Sequence, residues 1–284
     1  SRFFANYDVI AQRPQNSFTP ISDWYFLRNT PTNVINNPNL QSQLTTDYEV
    51  GFKQKIGNNS GLTLVAGYRE QRNLIQLYRF NYAYPVSYIS YSNIDFATIK
   101  QFRIEYEVRD LGNLSFDASY TLLFADGTGS NPASQQALVQ AGQPNLRTLF
   151  PLGDIDVRNN IKLNVFYEYK NGDEYNGPVW KGKKIFQNAG VALTLNAISG
   201  LPYTANADPT PNAQSGVVVR SPIEGTPFGS RLPWQLQNDL NIYKNVNVTL
   251  GKKKDGQPIP GQLRFMFWVQ NILDVQNIRA VHPY

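Results

Sequence analysis

Cysteine is absent from this 284-residue sequence, and histidine and methionine occur once each. Without cysteine there is neither a disulfide framework nor a thiolate zinc site. The single His282 stands next to Pro283. It excludes a His-rich metal centre and offers a poor base for Ser-His-Asp or Cys-His chemistry. Charge is also scarce, at 17% of residues, where ordinary soluble domains carry about 25%. Long hydrophobic runs are missing too. No stretch approaches the roughly 18 consecutive apolar residues of a membrane-spanning helix. The opening Ser1-Arg2-Phe3-Phe4 lacks the basic-then-apolar pattern of a secretory leader.

Aromatics and amides are abundant instead. Tyr numbers 17, Phe 16 and Trp 4, and 30 Asn and 20 Gln together outnumber the 26 basic and 21 acidic side chains. So many aromatics at a net charge of only +5 argue against disorder. The positive charges are scattered, and nucleic acid is not an expected partner, because its binders gather charge on one face. The one tight run, Lys252-Lys253-Lys254, is followed by Asp255-Gly256 and reads as a solvated turn. Mean hydropathy is −0.40. That value suits a soluble all-β protein, but also a membrane barrel in which every second residue faces lipid.

Period-two alternation dominates the chain. In the segment from Tyr48 to Ile56, Tyr, Val, Phe and Ile share one face, and Glu49, Lys53 and Lys55 lie on the other. Phe102 to Val108, Leu114 to Phe124, Ile161 to Tyr169, Val191 to Ala197 and Leu263 to Val269 repeat the device, and Leu62 to Tyr68 opens a further strand. Phe4 to Ile10 and Leu236 to Val248 are weaker candidates. The best helical stretch, Ser134 to Ala141, sits inside a loop. The strands run to about 9–13 residues where alternation is clean, longer than the usual 5–6 and close to the 9–11 of a tilted membrane strand.

The connections alternate in length. Gly57 to Gly61 and Arg109 to Asn113 are tight turns. Between them lies a long excursion through Tyr84-Pro85 and Ser92-Asn93. Long loops are expected from Phe124 to Asp156 and from Ser199 to Pro233, with an intermediate one from Lys170 to Gln187 and a short one from Lys252 to Gly261. Short turns on one side and long loops on the other are the habit of outer-membrane barrels. Tyr48, Tyr106, Tyr120, Tyr167 and Tyr169 would serve an interfacial girdle. Nine strands are counted, with a possible start of a tenth at Asn277 to Val281. A sheet so open would leave unpaired backbone groups in lipid, so the chain reads as a contiguous portion of about 9–10 strands of a larger antiparallel transmembrane β-barrel.

Several short motifs resemble those of TonB-dependent outer-membrane receptors. They are Asn37-Pro38-Asn39-Leu40, then Thr46-Asp47-Tyr48-Glu49-Val50-Gly51-Phe52, and Val269-Gln270-Asn271-Ile272-Leu273-Asp274 near the end. Ser199-Gly200-Leu201-Pro202-Tyr203-Thr204, Arg231-Leu232-Pro233 before Asp239-Leu240-Asn241, and Asn176-Gly177-Pro178-Val179-Trp180 are most similar to the Oar-like receptors of Bacteroidota. The resemblance implies a barrel of about 22 strands around a plug, with residues 1–284 as part of that one barrel domain, truncated at both ends. The plug and the remaining strands would lie outside this chain. It also implies energised import across the outer membrane of a Gram-negative bacterium, with lipid and the TonB complex as partners, the latter through the plug. A surface lipoprotein or secretion partner is possible.

No catalytic constellation is expected. Glu105 and Glu107 share a strand face, and Asp154 and Asp156 share a loop that could help bind a hard cation only with further acids. Gly127-Thr128-Gly129-Ser130 is not followed by the Gly-Lys-Ser/Thr of a phosphate-binding loop. The chain therefore reads as a non-enzyme, with no cofactor, no metal site and an unknown ligand. Trp24, Tyr25, Phe26 or Tyr203 could stack on a sugar or peptide, or simply pack loops on the rim. Two rival readings stand beside the receptor: a porin or adhesin-like barrel, and a secreted soluble β-sandwich that binds carbohydrate.

Overall fold

The computed structural model describes residues 1–15, 34–83, 87–153, 155–205, 223–252 and 257–281. Nine long strands build one sheet: β1 (Arg2–Gln12), β2 (Gln43–Ile56), β3 (Ser60–Phe80), β4 (Tyr88–Leu111), β5 (Leu114–Gly127), β6 (Asn159–Tyr169), β7 (Ala189–Ile198), β8 (Gln235–Lys252) and β9 (Pro258–Val269). Each pairs antiparallel with the next, so the sheet is an up-and-down meander. Two-residue strands at Val34–Ile35 and Phe150–Pro151 add to β4 and β5.

The register separates two chemistries. Phe3, Phe52, Leu64, Ile104, Tyr120, Ile161, Ala197 and Leu236 stand opposite one another in a row from β1 to β8. One residue along each strand, the row reads Arg2, Lys53, Thr63, Glu105, Ser119, Lys162, Asn196 and Gln237. Successive side chains leave a strand on opposite faces, so the sheet has one apolar and one polar side. The apolar side is uncovered: Phe3 is 81% exposed, Val50 58% and Phe265 62%. A sandwich would lay a second sheet there. Among the described residues none does, which counts against the soluble sandwich. β1 and β9 are not paired with each other, so the sheet has two open edges among the described residues.

Connections alternate as expected. The chain leaves β2, β4, β6 and β8 at one end of the sheet and β1, β3, β5 and β7 at the other. One expectation changes. The excursion after Tyr68 is not a loop but a strand pair: β3 and β4 run on together, with Ile75 to Phe80 facing Tyr88 to Asn93. Ser92-Asn93 lies inside β4, and the register shifts around Asn73, which holds φ 58°. The tenth strand is also absent. Residues 277–281 form no strand. Instead the Asn277 side chain accepts from the Leu236 N–H at 2.8 Å and donates to its carbonyl at 2.9 Å. One amide thus occupies the β8 edge where a strand residue would sit.

At the long-connection end the strand extension and its loops form a small folded cap. A one-and-a-half-turn helix, α1 (Gln136–Gln140), lies within the expected helical stretch. Its Val139 packs on Leu77 and Ile89, and a second cluster joins Ala97, Ala125 and Leu152.

Candidate functional site: the polar face and the cap above it

The polar face is lined by charges that neutralise one another. Arg69 holds Asp47 through both carboxylate oxygens, at 2.5 and 2.9 Å. Arg103 lies 3.2 Å from Glu105, and Arg109 lies 2.5 Å from Glu107. Glu105 and Glu107, which share this strand face, are therefore ion-paired wall residues. Asn6 donates to Glu49 at 3.2 Å, and Asn164 donates to Asp117 at 2.8 Å. Asn6, Asp8, Asp47, Glu49, Arg69 and Gln101 border a cavity of about 270 Å³. Farther round the sheet the same face offers Lys162, Asn164, Thr194, Asn196, Gln237 and Asp239. Such a surface holds water and polar solute against a wall whose other side repels both.

Glycine on this face has a packing cause. The Phe4 ring lies over Gly51, where a Cβ would come within 2.1 Å of it. The Gly of the Tyr-Glu-x-Gly-Phe stretch is thus a seat for an aromatic from the neighbouring strand.

On the apolar face, Tyr7, Tyr48 and Tyr68 stand side by side with ring centroids 5.2 and 6.1 Å apart. The tyrosine row continues to Lys100 on β4, and the next same-face row toward the cap is Thr46, Glu70, Thr98 and Asp126, so charge begins at the tyrosines. Tyr167 and Tyr169 close β6 at the other end. Tyr106 and Tyr120 share this face but sit between these rows, and Tyr120 donates to Asn159 at 2.8 Å. Along β5 the apolar face runs from Leu114 to Phe124, roughly 34 Å of strand. At a tilt of roughly 40° that gives about 25 Å of height, the thickness of the apolar band of a membrane barrel.

The cap buries polar groups and satisfies most of them, Arg158 Nε being left without a partner. Gln76 is fully buried and its amide nitrogen reaches Asp95 at 2.9 Å, Ser134 at 2.8 Å and the Asn131 carbonyl at 3.0 Å. Thr128 donates to the other Asp95 oxygen at 2.9 Å, and Gln135 brackets the Leu146 backbone. The Gly127-Thr128-Gly129-Ser130 stretch therefore serves packing under Asp95. Asp156, fully buried, is held by Arg158 at 2.9 Å and by Arg231, which also donates to the Asp156 carbonyl at 2.8 Å. This bears on the cation weighed, and not expected, at Asp154 and Asp156. Two guanidinium groups already occupy Asp156, and Asp154 lies outside the described residues. Among the described residues no group of three or more His, Cys, Asp or Glu could hold a metal.

Motifs far apart in sequence meet here. Pro202–Tyr203 pairs with Ser230–Arg231, and the Leu232 N–H donates to the Leu201 carbonyl at 3.0 Å. A Cβ on Gly200 would fall 1.9 Å from the Leu232 carbonyl oxygen, so glycine is required. Asn37 donates to the Tyr91 carbonyl at 2.9 Å and clips its loop to β4. Asn271, at φ 52°, brackets Val275 through both amide atoms at 3.1 Å. Tyr203 is half-buried in its strand pair. Trp24, Tyr25, Phe26 and His282 lie outside the described residues, as do Lys253, Lys254 and Asp255. The Asp156–Arg231 tie spans 75 positions, and no local signal in the sequence marks it.

A single meandering sheet, apolar outside and polar inside, with short turns at one end and a folded cap at the other, is the wall of an outer-membrane β-barrel transporter fold. Among solved structures the chain matches the crystal structure of the outer membrane transporter YddB from Escherichia coli. The TM-score is 0.54 at 13% identity, over 94% of this chain and 38% of that one. Pseudomonas aeruginosa FpvA, solved in an iron complex with a heterologous pyoverdine, is matched at TM-score 0.49 and 11% identity, over 94% and 30%. The chain thus spans well under half the length of either. No family model matches, and neither does any curated protein.

Proposed function

We propose that this chain is a contiguous part of the single barrel domain of a TonB-dependent transporter in the outer membrane of a Gram-negative bacterium. Its nine strands face lipid on one side and a wet lumen on the other. Its cap is part of the extracellular surface that meets the ligand, and a plug outside this chain engages the TonB complex. The observation that carries this reading is the uncovered apolar face, nine strands wide and about 25 Å tall, backed by a mixed-charge face. The unpaired edges of β1 and β9 support further strands, because open edges are not tolerated in lipid. The convergence of Ser199–Thr204 with Arg231–Pro233 supports the Oar-like branch, since two of its motifs form one contact.

Two measurements on the full-length protein in outer-membrane vesicles test it. Single cysteines at Tyr48, Val50 and Phe52 resist a water-soluble maleimide, and those at Glu49 and Lys53 react. Equal reaction at both parities refutes the wall. The purified periplasmic domain of TonB retains the full-length protein in a pull-down. Failure there leaves a passive barrel, the porin or adhesin alternative.

A further inference from the structure

The β6–β7 connection is the only short-end connection, among the described residues, with structure of its own. After Tyr169 a single 3-10 turn spans Gly172–Glu174, started by the Asn171 side chain, which accepts from the Gly172 N–H at 2.8 Å. Then Val179–Trp180 pairs with Lys183–Lys184. The two residues between them, Lys181 and Gly182, hold φ 48° and 74°, as a type I′ hairpin turn demands.

This hairpin is fixed to the outer side of the wall. The rings of Tyr175 and Phe186 lie 5.7 and 5.8 Å from that of Tyr169, on the apolar face. Asn176 accepts from Asn113 in the β4–β5 turn at 2.5 Å. A Cβ on Gly177 would fall 2.7 Å from the Tyr175 ring and 2.8 Å from Tyr169, so glycine allows the close approach. Lys244 donates to the Ile185 carbonyl at 2.8 Å and secures the return.

Two kinds of group are left over. Val179 and Trp180 project with 58% and 65% exposure. Lys181, Lys183 and Lys184 crowd four positions, and none has an ion-pair partner among the described residues, although Lys184 donates to the Gly172 carbonyl at 2.5 Å and lies 5.7 Å from the centre of the Tyr175 ring. The nearby acids Asp110 and Glu174 are taken by Lys170, at 2.9 and 3.4 Å. Hydrogen bonding to Asp110 and then to Glu174 holds the Lys170 ammonium above its ordinary value. Lys181 sits 5.0 Å over the Trp180 ring.

We propose that this hairpin is an interfacial foot, in which Val179 and Trp180 enter the headgroup boundary just past the apolar band. Lys181, Lys183 and Lys184 bind the phosphates of anionic phospholipids in the leaflet on the short-turn side. The proposal rests on the reading of the apolar face as lipid-facing. Tryptophan settles at headgroup level, lysine stems lie on apolar surface while the ammonium reaches the polar layer, and three cations without an acidic partner among the described residues complement acidic headgroups.

The test uses the full-length protein with one cysteine, any other being replaced; this chain contributes none. A spin label at Val179→Cys reports the foot, and one at Val50→Cys reports the wall. Each is placed in phosphatidylethanolamine vesicles with and without phosphatidylglycerol. The Val50 site is reached by oxygen and not by a water-soluble nickel chelate. The Val179 site lies at phosphate depth, is deepened by phosphatidylglycerol, and is lifted by K181Q/K183Q/K184Q. Preference for the anionic lipid falls about fivefold per lysine removed. A Val179 label open to the chelate in both mixtures, with Val50 still in hydrocarbon, overturns the foot and leaves the wall standing. A depth unmoved by the lysine substitutions overturns the phosphate contact. A Val50 site open to the chelate overturns the wall, and the foot with it.

Discussion

The cap and the wall of this molecule are folded for different solvents. Among the described residues, all of the buried apolar side chains except Val65 and Val108 belong to the cap end: Ile75, Leu77, Ile89, Ala97, Ala125, Val139, Phe150 and Leu152. There the chain behaves as a water-soluble protein does, with a dry interior and with Gln76, Asp95 and Asp156 satisfied inside it. The wall inverts this. Among the described residues its largest apolar side chains lie on the uncovered face, most of its charges lie on the polar face, and only two of its apolar side chains are buried. In the cap, a lost methyl leaves a hole that nothing fills. On the outer wall, acyl chains as apolar as leucine can follow the new surface.

The contrast can be broken at its strongest point by Asp156→Ala. Both arginines lose their carboxylate, at a cost of about 4 kcal/mol, in the range seen when one partner of a buried ion pair is removed. Hydrogen exchange should rise in residues 128–158 and 223–232 while β2 and β6 keep their protection. An equal rise along β2 and β6 would show cap and wall to be one cooperative unit. Val50→Arg is expected to cost about 3 kcal/mol in the apolar band, read as the urea midpoint in vesicles, and Ser119→Arg beside Glu105 close to nothing. If the two cost the same, the faces have been assigned wrongly. Leu77→Ala should cost about 2 kcal/mol more than Leu64→Ala, since only the first leaves a cavity. Gly51→Val should cost about 1–2 kcal/mol, because the Phe4 ring must move. Adding Phe4→Ala should recover most of that loss in a double-mutant cycle.

The sequence reveals the wall more readily than the cap for the same reason. Where one face meets lipid and the other water, polarity must alternate, and β2, β4, β5, β6, β7 and β9 could each be read from that pattern. Past Asn73 the hairpin of β3 and β4 is covered on both sides. Ile75, Gln76 and Leu77 are consecutive and all buried, so the alternation vanishes and a strand looks like a loop. At the possible tenth strand Asn277 imitates a strand partner with a side chain, which leaves no periodic trace. The hairpin at Val179–Lys184 did leave one, a Lys-Gly pair between short runs, but residues 170–187 showed no alternation to frame it. Contacts such as Asp156 with Arg231 depend on the meander bringing two loops together, and nothing local encodes them.

The meander also sets an order of assembly. Each strand needs only its sequence neighbour, and the connections across 13–42, 128–158 and 199–234 are roughly tenfold longer than those across 57–59, 112–113 and 253–257. Closing the longer ones therefore costs about 2 kcal/mol more conformational entropy. The pairs joined across residues 57–59, 112–113 and 253–257 hold the smallest closure cost and zip first, as ready-made hairpins. The long connections close later, between hairpins already formed. The sheet thus grows from its short-turn end, and the cap is the last part to take shape.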